Sequence, residues 1–258
     1  RRNTVSIFAI SDLHLSFGAQ KPMDIFRGWD NYTARLEANW RRLVKEEDTV
    51  VLPGDLSWGL KIEETLNDFK FLDSLPGKKL ILKGNHDLWW STAKKIHEFF
   101  EKNDISSVEI VFNNCAIAEG YAIAGTRGWF YDDKTDKKVL AREAGRLDTS
   151  LIEAEKTGLP ILTFLHYPPV YSDSVCEEIF SVLKAHNVKT VYYGHIHGLG
   201  YINAVKEYEG VELKLIVSPF HQKRKSLRFE FLISAILFSA ISLTFSLGIF
   251  LSSSSISL

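Results

Sequence analysis

Apolar residues come either in short continuous runs or once per helical turn, and the two patterns alternate along the chain. The runs "VSIFAI" at 5–10, "TVVL" at 49–52 and "KLIL" at 79–82 predict buried strands. Between the first two, residues 30–46 predict a helix, with Asp30 as its N-cap and Leu36, Trp40 and Leu43 about one turn apart. Residues 61–73 and 89–101 also read as helices. This β-α-β-α-β order favours a mostly parallel sheet with helices outside it. The segment 108–126 then holds three short runs separated by turn residues, "VEIVFNN", "CAIAEG" and "YAIAGT", which predict a meander. A charged helix over about 136–157 follows, then a strand at 160–166, a helix near 174–187 and a strand at 189–195. "YINAVKEYEGVELKLIVS" reads as a hairpin turning at Glu209-Gly210. No repeat or linker interrupts the chain before residue 218, so the pattern describes one α/β domain with two sheets.

The residues that follow the strands carry the chemistry. Ser11-Asp12-Leu13-His14 follows the first, Pro53-Gly54-Asp55 the second and Gly84-Asn85-His86-Asp87 the third. His166-Tyr167-Pro168 and Gly194-His195-Ile196-His197 follow two later ones. In open α/β sheets the carboxyl ends of strands line the ligand crevice, so these groups should meet at one edge. His195 and His197, two residues apart on extended backbone, face one space. A single strand-end Asp or His is most often a cap or turn residue; five in succession are not. Carboxylate with imidazole suits borderline divalent ions such as Mn, Fe and Zn. Asp12, His14, Asp55, Asn85, His166, His195 and His197 are too many ligands for one ion and about right for two sharing a carboxylate.

In this order, D-x-H, G-D, G-N-H-D, a lone His and G-H-x-H resemble the calcineurin-like metallophosphoesterases over roughly residues 5–217. The resemblance implies a four-layer αββα sandwich, two mixed β-sheets flanked by helices. It implies a first metal held by Asp12, His14 and His197, a second held by Asn85, His166 and His195, and Asp55 bridging them. It makes His86 a catalytic histidine outside the ligand set, contacting phosphate and protonating the leaving oxygen, with Asp87 fixing its tautomer. The implied activity is hydrolysis of a phosphomonoester or phosphodiester by a hydroxide shared between two divalent ions (Mn, Fe, Zn or Mg). The alternative is a non-catalytic metal-binding scaffold of the same fold that binds a protein partner. Protein phosphatases of the superfamily continue their G-D with valine, aspartate and arginine, whereas this chain has Leu56-Ser57-Trp58. That leaves the family's phosphate-binding arginine unassigned; Arg127, in "AGTRGW", is the candidate substrate-binding residue. Trp58, Trp89, Trp90 and Trp129 read as core aromatics or as pocket walls, and His97, His186 and His221 as surface histidines.

Composition adds exclusions. A formal net charge of −1 gives no global basic field, so nucleic acid is not expected as a partner; the resemblance implies a small phosphate ester instead. Two cysteines without a CxxC argue against a disulfide framework and a thiolate zinc site, and fit a reducing, cytoplasmic setting. Residues 1–218 form the expected catalytic domain, and 219–258 are set apart. There Lys223, Arg224, Lys225 and Arg228 precede an uncharged run, 231–251, of about the length that crosses a bilayer. It reads as a membrane anchor with the enzyme on the cytoplasmic side, as an artefactual or disordered end, or as a packed core helix. Every expected ligand lies before residue 198.

Overall fold

Side-chain alternation within the strands decides how the layers stack. The computed structural model describes residues 5–26, 28–129 and 136–216, except the side chains of 198 and 199, and the backbone of 234–236. In β1 (Ile7–Ala9), Ile7 and Ala9 join an apolar cluster with Val51, Leu80 and Leu82, and with Ile123, Leu162, Phe164 and Tyr192 from later strands. This cluster fills the space between two sheets. Phe8 points the other way, to a cluster with Leu36 and Trp40 of α1 (Tyr32–Leu43), Phe69 and Leu72 of α2 (Leu66–Asp73), and Ile96 and Phe100 of α3 (Ala93–Lys102). A third cluster sets Leu140, Leu147 and Leu151 of α4 (Lys137–Glu155) and Ile179, Phe180 and Leu183 of α5 (Glu177–Ala185) against Leu165, Val191 and Tyr193. Period-two strands thus feed two apolar faces each, and the result is helix, sheet, sheet, helix, as the αββα expectation has it.

The first sheet contains β1, β2 (Thr49–Pro53), β3 (Lys78–Leu82) and β4 (Val108–Ile110) in that order, all parallel. The second comprises β5 (Ala116–Ala118), β6 (Tyr121–Thr126), β7 (Ile161–Leu165), β10 (Thr190–Tyr193), β11 (Glu207–Tyr208) and β12 (Val211–Leu215). Its order is β11-β12-β10-β7-β6-β5, with parallel pairs at the centre and an antiparallel pair at each edge. A two-stranded ribbon, β8 (Val170–Tyr171) with β9 (Ser174–Val175), leads into α5. The hairpin turns at Glu209-Gly210 as expected, both residues at positive φ (44° and 79°), the twist-matched turn of tight hairpins.

Four expectations are corrected. The segment 108–126 is not a meander: β4 pairs parallel to β3 in the first sheet, and only β5 and β6 form a hairpin, in the second. The chain changes sheets at Asn113, which takes positive φ (59°). The N-cap of α1 is Asn31, at φ 52°, not Asp30; this bend turns Tyr32 inward so that its hydroxyl donates to the His14 carbonyl at 2.8 Å. α3 begins at Ala93 rather than 89, because residues 86–90 form turns and Thr92 Oγ1 caps the Lys95 N–H. His186 is no idle surface residue: its ring contacts Glu155 at 2.7 Å and Asp148 at 2.9 Å, joining α5 to α4. His97 is exposed, as expected, and His221 lies outside the described residues.

In the apolar run 231–251, β13 (Ser234–Ile236) lies antiparallel along β1 at the edge of the first sheet. The rest of the run lies outside the described residues. Among the described residues no helix is long and apolar enough to cross a membrane.

The His186 contacts give a pH-dependent expectation. Burial opposes the charged ring, but the Asp148 and Glu155 carboxylates outweigh it and raise its pKa above the ordinary value. A raised histidine pKa contributes stability that is full below about 6.5, the unfolded value, and is lost as pH climbs through the folded one. His186→Ala should therefore lower the melting temperature at pH 5.5 and much less at pH 8.5. Equal losses at both would mean the ring acts by packing alone.

Candidate metal centre

The sheets bring their carboxyl edges together, and the turns there are strained in a consistent way. Asp12, His14, Asp55 and His195 all take positive φ (59°, 48°, 54° and 65°), a conformation uncommon outside glycine. Each lies shortly past a strand end, where a left-handed residue interrupts the regular alternation of the pleat. The backbones interlock: the His14 N–H donates to the Asp55 carbonyl at 2.9 Å, and the Asp12 N–H to the Gly54 carbonyl at 3.2 Å. Gly54 and Gly84 pass back to back. A Cβ on Gly84 would stand 2.1 Å from the Asp55 backbone nitrogen, so only glycine admits this approach.

Two ligand groups result. Asp12, His14 and His197 bring one potential ligand atom each to within 4.8 Å of one another, and so do Asp55, His166 and His195. Asp55 Oδ2 stands between the groups, 3.4 Å from His166 Nε2 and 4.0 Å from His14 Nε2. Asn85 Oδ1 completes the second group at 2.7 Å from His166 Nε2. All seven expected ligands meet at this edge.

The carboxylates are each half-committed. Asp12 Oδ2 accepts from the His195 N–H at 3.0 Å, and Asp55 Oδ1 from the His86 N–H at 2.8 Å. Asp12 Oδ1 and Asp55 Oδ2 are buried and accept no hydrogen bond among the described residues. Buried carboxylate oxygens without donors are costly unless a cation meets them. His166 Nδ1 faces the Pro53 carbonyl at 3.0 Å, which can only accept, so Nδ1 carries a proton. In the neutral ring, Nε2 then offers its lone pair toward Asn85 and Asp55. Two orphaned oxygens and a tautomer-fixed imidazole fit a pair of divalent ions of the Mn, Fe or Zn kind.

The electrostatics agree. Burial lowers the His14 and His195 rings to about 3, and it lowers His197 as well, so these are neutral imidazoles near pH 7. Burial pushes the Asp12 carboxyl up to about 7, with Asp55 adding to this and His166 opposing it. Burial works to raise Asp55 too, but His166 and His14 win and hold it below the ordinary carboxylate range. Burial alone would lower His166; the Asp55 and Asp12 carboxylates lift it to about 9.

Asp87 is corrected. It does not hold the His86 ring. Its Oδ2 accepts from the backbone N–H groups of Asp55 (2.9 Å) and Gly84 (2.7 Å). Its Oδ1 accepts from Leu56 (2.9 Å), Ser57 (3.3 Å) and the Trp89 indole (3.1 Å). Asp87 organises the two loops that carry Asp55 and Asn85. An amide at 87 would turn an NH₂ group toward these donors. Each buried N–H left without an acceptor costs about 1–3 kcal/mol, so Asp87→Asn should cost roughly 2–6 kcal/mol for two of them. The urea midpoint of the metal-loaded protein measures this. An unchanged midpoint with reduced turnover would restore a catalytic role.

Around the centre, Trp58 stacks on His14 (5.0 Å between centroids, 19°) and tilts against His86 at 4.4 Å, forming a wall on the first-group side. Trp89 and Trp90 are buried core aromatics. On the second-group side Tyr167 lies 4.4 Å from the His195 ring and 5.7 Å from Trp129. Arg127 sits beside them, its carbonyl accepting from the His166 and Tyr167 N–H groups. Its guanidinium is bound to Glu143 at 2.9 Å, a buried partner that the expectation for Arg127 did not include. The sequence carried a signal for Glu143: it falls on the apolar stripe of α4, between Leu140 and Leu147.

The family description for calcineurin-like phosphoesterases matches residues 5–199. No curated protein matches the chain. Among solved structures, a protein of unknown function from Aquifex aeolicus is 17% identical, covering 83% of this chain and 89% of its own, at TM-score 0.42. A phosphopantetheinyl hydrolase from Mycobacterium tuberculosis is 15% identical (86% and 93% covered, TM-score 0.46). A protein from Thermus thermophilus is 16% identical (82% and 89% covered, TM-score 0.49).

Proposed function

Because the chain belongs to the calcineurin-like phosphoesterase family, we propose that it is a phosphoesterase whose crevice holds two divalent metal ions and hydrolyses a phosphomonoester or phosphodiester. The observation that carries this reading is the pair of donorless buried oxygens, Asp12 Oδ1 and Asp55 Oδ2, each aimed into a group of imidazoles. Asp12, His14 and His197 would hold one ion, Asn85, His166 and His195 the other, with Asp55 placed to serve both. When bound, such ions supply Lewis-acid charge and activate water near neutral pH. The protein's own groups do the rest. Backbone N–H groups of His195 and His86 fix the two carboxylates, so their ligand oxygens do not reorient. The Pro53 carbonyl fixes the His166 tautomer. His86 lies outside both ligand groups, half-buried at the rim between Trp58 and His14. From there its ring contacts the phosphoryl group and delivers a proton to the leaving oxygen. Arg127 adds positive charge on the opposite side. The catalytic domain, expected over residues 1–218, also receives Ser234–Ile236 as an edge strand of its first sheet.

A panel of phosphomonoesters and phosphodiesters, assayed on metal-stripped protein reloaded with Mn, Fe, Zn or Mg, tests the proposal. Metal-dependent turnover of at least one ester class is expected. Full metal loading with no turnover of any would favour the scaffold alternative.

A further inference from the structure

Beyond the second ligand group, the same edge of the fold carries a second cluster of charge. Glu143 Oε1 accepts from Arg127 at 2.9 Å and from Arg146 at 2.5 Å, while Thr126 Oγ1 donates to Oε2 at 3.2 Å. Both guanidinium groups therefore converge on one oxygen. Lys83, half-buried at the end of β3, lies in the field of Arg127, Glu143 and Arg146. Asp87 acts on Lys83 as well, so among the described residues two buried carboxylates face three cations.

The placement is specific. Lys83 directly precedes Gly84-Asn85, and Arg127 directly follows β6, next in the sheet to β7, which delivers His166. Arg146 reaches the same spot from α4, 4.9 Å over the ring of Phe112, just past β4. The glutamate is inaccessible, its side chain 1% exposed, but Arg127 and Arg146 keep 14% and 27%. The negative charge is hidden and part of the positive charge is presented. Arg127 Nε, moreover, faces no acceptor among the described residues.

Both carboxylates are buried and committed, Glu143 to the two guanidinium groups and Asp87 to backbone N–H groups, so among the described residues the accessible charge here is positive. We infer that Lys83, Arg127 and Arg146 form a subsite for a second phosphoryl group, so that the preferred substrates are bisphosphorylated compounds. One phosphoryl group lies in the metal crevice and the other on this cluster. The inference rests on the phosphoesterase reading and specifies its substrate.

Straight-chain diols from ethanediol to hexanediol, phosphorylated at one end or both, test it on the metal-loaded protein. At one chain length the bisphosphate should have a KM about tenfold or more below that of its monophosphate, as charge-assisted bonds to one added group supply. Lys83→Met and Arg146→Met should each raise that KM about tenfold and leave monophosphate kinetics unchanged. The ion pairs of Glu143 run to Arg127 and Arg146, so the Lys83 variant keeps them intact. No preference at any length, or variants that weaken mono- and bisphosphates alike, would overturn the subsite. Absence of metal-dependent turnover of the monophosphates would instead strike at the phosphoesterase reading. Calorimetric binding of the same pairs then decides the subsite, with equal affinities counting against it.

Discussion

Asp55→Asn protein should retain fewer than two metal ions per chain and lose nearly all turnover. The substitution preserves shape: an amide oxygen at the Oδ1 position still accepts from the His86 N–H. At the Oδ2 position it places an NH₂ group, which has no lone pair to offer, between His166 and His14. Among the described residues Asp55 stands between the two candidate ligand groups, so its loss should affect both, whereas loss of His197 should affect one. Metal charge supplies several kcal/mol in the transition state, and about 1.4 kcal/mol is tenfold in rate. A fall of about 10³ or more in kcat is expected. Elemental analysis decides the structural half: two ions retained with normal turnover would refute the shared position of Asp55.

His86→Ala should separate catalysis from metal binding. The backbone N–H of residue 86, not its ring, holds Asp55, and alanine keeps it. Both ions should therefore stay. The rate should drop by about 10²–10⁴, the range of general acid–base assistance. The drop should shrink for good leaving groups such as nitrophenolate, which need little protonation. A loss that is the same for nitrophenyl and alkyl esters would assign the ring to phosphate positioning.

What the sequence revealed and what it hid have physical reasons. The seven candidate ligand positions were legible because each lies just past an apolar run, and strand ends in an α/β sheet converge whatever the loops do. The fold class was legible because the period changes cleanly between strands and helices. The sheet membership of Val108–Ile110 was not. A three-residue strand, Val-Glu-Ile, looks the same in either sheet, and a single left-handed residue, Asn113, makes the crossing. Asp87 was misread because G-N-H-D sets it beside His86 in sequence, while a carboxylate with five N–H donors around it serves the loops. The clamp of Arg127 on Glu143 depends on α4 packing over β6, a contact between distant segments that no local pattern encodes. The pairing of Ser234–Ile236 with β1 lies in a run whose lack of charge suggested other roles.

The account's central claim is that two ions, sharing Asp55, make this crevice active. Titrating metal-stripped protein with Mn, while following hydrolysis of nitrophenyl phosphate or its diester, tests it most directly. Activity should appear only as the second equivalent per chain is taken up, and chelation should abolish it. Full activity at one equivalent, or in the stripped protein, would contradict the account.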